Sequence, residues 1–150
     1  MHRACGSRDA AERFASWGRP EEDGDVIVTR SSSGYAATAK RLIEAIDDRG
    51  LTVFARIDHA AAAREAGMEL AAEEVVLFGD PRAGTPLMQT DPRVGVELPL
   101  RILIWEDEVG ALLGHREPRD LAREYDLQPR HEILERMAAL LDELVDSAAA

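Results

Sequence analysis

His59 is the side chain of this sequence most suited to acid–base chemistry, and two useful neighbours precede it. Arg56, Asp58 and His59 close the run Thr52-Val53-Phe54-Ala55-Arg56-Ile57-Asp58-His59. A histidine near neutrality can serve as a general base or a metal ligand. Asp58 would orient its ring, and Arg56 or the more distant Arg101 would hold an anion. The bland alternative is a histidine that bonds the backbone and fixes a strand-to-helix turn. A second group is Thr85, Met88 and Gln89. Thr85-Pro86 reads as an N-cap followed by proline at the first helical position, which predicts a single turn over 86–89. The amides of such a turn can hold an anion. Met88 can meet a haem or an apolar ligand, or simply pack beneath the loop.

Other combinations are weaker. Ser31-Ser32-Ser33 has no G-x-S-x-G elbow and no Walker A lysine. Glu106-Asp107-Glu108 lacks the spaced ligands and turn glycine of a calcium loop, so it reads as a solvated hairpin turn. His59, His115 and His131 show no metal-ligand spacing. Cys5 is the only cysteine, which excludes an internal disulfide and a thiolate cluster. The residues therefore name no catalytic set and no metal set, and leave the cofactor unknown.

The elements that must position these groups follow from periodicity. Residues 26–28 form a short apolar strand. Ala39, Leu42, Ile43 and Ile46 make one face of a helix over 35–49, which Gly50 stops. A second strand covers 51–57, with Leu51, Val53, Ala55 and Ile57 pointing inward. Asp58 would cap a short helix over 58–66, and 74–79 make a third strand. Residues 98–105 and 110–115 read as a hairpin. Pro118 opens a short helix to Tyr125, and Pro129 the longest one. There Ile133, Met137, Leu140 and Leu144 give a stripe that could pack on a sheet or meet a second copy.

Between the third and fourth strands lies a 79–99 connection with four of the seven prolines. Asp91-Pro92 repeats the cap-and-proline device, with Gly95 ending the turn. Proline lowers the entropy lost on ordering, so this connection should be rigid, and a long ordered connection in a small domain is often functional.

The 150 residues suit one domain with a real core. Residues 1–24, whose large apolar side chains are Phe14 and Trp17, read as a flexible arm with a short helix over 9–17. Residues 25–150 make the domain. Lys and Arg number 18 against 29 Asp and Glu, a net charge of −11. That balance speaks against nucleic-acid binding. No apolar run is long enough to span a membrane, and no apolar leader is visible, so a cytoplasmic location is expected. Against this background Arg56, Arg82, Arg93 and Arg101 stand out as local holders of any anion.

The run Leu77-Phe78-Gly79-Asp80-Pro81-Arg82-Ala83-Gly84-Thr85-Pro86-Leu87-Met88-Gln89 resembles the hallmark of the bacterial domain-of-unknown-function family 302. The 52–59 run, Leu98-Pro99-Leu100-Arg101 and Trp105-Glu106-Asp107 agree, so the likeness covers about Val26 to Leu127. It implies a TBP-like α+β fold, a curved antiparallel sheet of about five strands with helices on one face, commonly a homodimer. It implies no reaction. The run Leu112–Pro118 departs from the aromatic or Ser-Tyr-Asn run of similar proteins.

Three expectations follow. The first is a non-catalytic homodimeric module for a small ligand or a protein partner. Its ligand would lie near Thr85–Gln89 and the end of the second strand. The second is an enzyme or cofactor carrier using His59, which requires His59 to share a pocket with the Thr85 turn. The third is a haem or metal binder using Met88 and a histidine.

Overall fold

The computed structural model describes residues 26–150; the arm, its 9–17 helix and Cys5 lie outside the described residues. Five strands form one antiparallel sheet in the order β1-β5-β4-β3-β2. They are β1 (Val26–Arg30), β2 (Thr52–Asp58), β3 (Glu73–Gly79), β4 (Leu100–Glu106) and β5 (Ala111–Arg116). Helix α1 (Tyr35–Asp48) follows β1, and α2 (His59–Glu65) follows β2. Helix α3 (Pro81–Thr90) follows β3, and α4 (Leu121–Glu124) and α5 (His131–Ala149) close the chain. The fold is α+β, as the sequence indicates.

Alternation places Val76 and Phe78 of β3, Ile102 and Ile104 of β4 and Leu113 of β5 on one face. There they pack against Ala39, Leu42 and Ile46 of α1 and Leu141, Leu144 and Val145 of α5. The α5 stripe is thus consumed within the chain: Ile133, Met137 and Leu144 are buried, and Leu140 packs against the core. A second, smaller core joins Leu87 of α3, Val94, Leu121, Leu127 and the first turns of α5.

Glycine stops α1 as expected. Gly50 has φ of +69°, its amide bonds Asp47 O, and the Leu51 amide reaches back to Ile46 O. The serine loop does not cap α1 through a side chain. Instead Ser31 Oγ lies 2.6 Å from the buried Thr38 hydroxyl, which also meets Gly34 O. Asp58 caps α2, accepting from the Ala61 amide at 2.8 Å.

Two sequence expectations are corrected. The first concerns β2. Its register shifts between Val53 and Ala55, a bulge that reverses which residues face the helices. Ala55 and Ile57 stand opposite Leu77 and Val75, on the far side, while Arg56 and Asp58 align with Val76 and Glu74. The second concerns Asp107, which is half-buried rather than simply solvated. It takes a two-pronged bond from Arg30 at 3.1 and 2.6 Å and accepts the Val109 and Gly110 amides. β1 is thereby latched to the β4–β5 turn.

Candidate functional site

Helix α3 is longer than the sequence suggests and starts earlier. The cap is Asp80, whose carboxylate accepts the Arg82 amide at 2.9 Å, with Pro81 in the first turn. Thr85 therefore sits inside the helix and caps nothing. Pro86 lies in the interior, where it withholds one backbone donor and the helix runs through it. The amides of Ala83 and Gly84 both bond Asp80 O. The expected anion site at Thr85 is absent for that reason: its amide lies within the helical ladder, not at a free end. Asp91-Pro92 does open a 3-10 turn, Pro92–Val96, as expected.

Helix α3 roofs a cavity of about 410 Å³ at the end of the sheet where β3 leaves and β4 enters. That volume falls in the range of roughly 300–1,000 Å³ common for ligand pockets. Its walls are apolar: Leu51 and Phe54 beside β2, Ala83 and Met88 of α3, Leu98 to Leu100, and Met137 and Leu140 of α5. Phe54 occupies the β2 bulge and is 53% exposed, so its ring is available at the rim. Gly84 and Gly95 keep the roof thin: a Cβ on Gly84 would meet Leu98 at 3.5 Å, and one on Gly95 would meet Met88 Sδ at 3.4 Å.

The residues singled out from the sequence are divided by the fold. Thr85 and Met88 line the cavity; Gln89, exposed on α3, does not. Arg56 lies outside it, bound to the buried Glu74 through Nε and Nη2, both at 3.0 Å. Glu74 also faces the Tyr35 hydroxyl, and burial followed by that carboxylate pushes the phenol well above its usual value. Asp58 is spent as the α2 cap. His59 is the first residue of α2 and does not line the cavity, so the condition set for a His59-based enzyme is unmet. Arg101 is exposed, with Nη2 donating to Glu97 O at 3.3 Å. The cavity meets the beginning of β2, through Leu51 and Phe54, and not its end, where the sequence points.

The arginines expected to hold an anion are similarly committed. Arg82 pairs with Asp80 at 3.2 Å, and Arg93 binds Asp91 through Nε and Nη2 at 3.0 and 2.7 Å. Asp91 is buried and accepts the Arg93 and Asp126 amides as well. These donors, Arg93 foremost, hold its carboxyl far below the usual range. His115 is buried, its Nδ1 against Arg116 O, while His131 opens α5. Among the described residues no group of three or more His, Cys, Asp or Glu is placed to hold a metal ion.

Sequence reasoning missed Leu51, Phe54, Leu98, Met137 and Leu140. They come from three separate segments, and each alone reads as core. The one available signal was two glycines, Gly84 and Gly95, flanking a methionine.

Comparison with known proteins fits this architecture. The crystal structure of an uncharacterized conserved DUF302 protein from Bacillus stearothermophilus superposes with a TM-score of 0.73, covering 83% of this chain and 98% of that one. At 18% identity the likeness speaks for the fold. Two curated relatives are the fluoride-specific ion channel FluC 1 of Brucella suis biovar 1 and that of Brucella abortus biovar 1. Each is 38% identical over 106 residues, 70% of this chain. The chain spans only 42% and 39% of their lengths. The profile described as "Domain of unknown function DUF302" matches residues 27–144, so the chain belongs to that family.

Proposed function

We propose that this chain is a non-catalytic, homodimeric module that binds a small apolar ligand in the cavity beneath α3. The carrying observation is a cavity of about 410 Å³ whose walls are almost wholly carbon and sulfur. An apolar cavity gains little from water, and filling it releases roughly 25 cal/mol per Å² of apolar surface. Met88 and Met137 suit a wall that adapts to its guest. Binding of the solvatochromic dye Nile red to the full chain tests the reading. A blue-shifted, saturable signal is expected, and Thr85→Phe, which fills the mouth from an exposed position, should reduce it at least five-fold. No saturable signal would sink the reading.

The homodimer rests on the sheet face opposite α1 and α5. Ile57, Val75, Leu103, Gly114 and Val28 lie directly opposite one another across all five strands. Such a row is an apolar band of the kind that marks an interface. A cytoplasmic site of action belongs to the same reading, since a reducing compartment suits a chain with one cysteine.

A second reading is favoured by the relatives. Proteins named as ion channels must cross a membrane. Among the described residues no helix is long and apolar enough to do so, and a sheet with free edges at β1 and β2 leaves backbone groups that lipid cannot satisfy. We infer that the pore of those relatives lies in their remaining length, and that this kind of module accompanies a channel. Removing the matching 106 residues from the Brucella suis protein should leave fluoride flux into liposomes intact. Loss of flux in a correctly folded remainder would overturn it.

A further inference from the structure

The polar inventory of the cavity narrows its guest. Among the residues lining it, Asp80 alone is ionisable and Thr85 alone carries a hydroxyl. A carboxylate-ended ligand would need several donors, and among the lining side chains the Thr85 hydroxyl alone can donate. The amides of Arg82, Ala83 and Gly84 are bonded to Asp80, and Pro81 has no amide hydrogen. The Arg82 guanidinium is 89% exposed, already bonded to Asp80 Oδ1, and not part of the lining. One neutral hydroxyl does not offset the cost of desolvating an anion, and the Asp80 carboxylate beside it and the net charge of −11 add repulsion. A hydroxyl-ended ligand has what an anion lacks, because it can donate to a carboxylate.

Resting on the reading of this cavity as a ligand site, we propose that it selects amphiphiles with a long apolar body and an uncharged hydrogen-bond-donating end, the alcohol class, against their carboxylate counterparts. Asp80 is the residue that sets this preference. It accepts the ligand hydroxyl and disfavours an anion, while the apolar walls hold the chain.

The test is displacement of Nile red from the full chain at pH 8 by 1-decanol and by decanoate, in the unsubstituted chain and in Asp80→Asn. Asparagine caps a helix as well as aspartate does, so α3 should remain, and circular dichroism checks it. Decanol should displace at concentrations at least ten-fold below decanoate. Decanol is also the more apolar of the two, so the decisive reading is the variant. Asp80→Asn removes the charge and supplies an amide donor, and should shrink that ratio at least three-fold, chiefly by improving decanoate. A ratio unchanged in Asp80→Asn, or decanoate equal to decanol in the unsubstituted chain, overturns the preference while leaving the ligand site standing. Failure of Nile red to bind, or binding indifferent to Thr85→Phe, removes the site itself and the preference with it.

Discussion

Single residues carry sharply different loads in this chain. Gly114 on β5 sits beneath the Trp105 ring, and a Cβ there would lie 2.9 Å from both Trp105 Cζ3 and Val26 Cγ1. Gly114→Ala should cost about 1–3 kcal/mol, the usual range for overpacking, measured by urea unfolding. Gly84 is the opposite case. It lies inside α3 with only ordinary contacts waiting for a methyl group, so Gly84→Ala should gain about 0.5–1 kcal/mol. Asp107 is pushed down to about 2 by the Arg30 guanidinium, with the Gly110 and Val109 amides adding to it. A carboxyl depressed in the folded state stabilises fully above its unfolded value near 4 and loses that contribution as pH falls toward 2. Thermal unfolding followed from pH 5 to 2 should therefore show a shallower acid slope in Asp107→Asn. An unchanged slope would mean that the latch contributes nothing.

At the scale of elements, the sequence was most informative where one local rule acted alone. The α1 stripe ended by Gly50, the Asp58 cap and the β4–β5 hairpin all follow from neighbours in sequence. The failures share a cause. At α3 two cap-and-proline signals competed, Asp80-Pro81 and Thr85-Pro86. The earlier one prevails: the Asp80 carboxylate accepts the Arg82 amide, the Ala83 and Gly84 amides bond Asp80 O, and the helix runs on through Pro86. At β2 the alternation Leu51, Val53, Ala55, Ile57 is real but interrupted, and a bulge is set by pairing with β3 rather than by β2 itself. The cavity was legible only in part: its roof lies in the 79–99 stretch that the sequence marks as special. Its walls are made by distant segments meeting, which no single-segment pattern records. His59 and Arg56 looked chemical in sequence because they adjoin. In the fold the half-exposed Arg56 satisfies the buried Glu74, and that pairing accounts for the arginine without any ligand.

For the whole molecule, the α5 stripe that suggested a partner helix is filled by the chain's own core. Any dimer must therefore use another surface, and the apolar row on the open sheet face is the proposal. Light scattering coupled to size exclusion at micromolar concentration should give twice the chain mass, and Leu103→Glu, mid-row on β4, should return it to a monomer with unchanged circular dichroism. A monomeric unsubstituted chain would remove the dimer and leave the cavity reading intact.

The latch between Arg30 and Asp107 spans 77 residues, and it has a bearing on biosynthesis. At roughly 5–20 residues per second of synthesis, β1 waits about 4–15 s for the hairpin it joins. During that interval β1 has no strand to pair with, because its partner β5 has yet to be made. A nascent chain of this topology is an apt client for a ribosome-associated chaperone, and its vulnerable moment closes only when the last strand emerges.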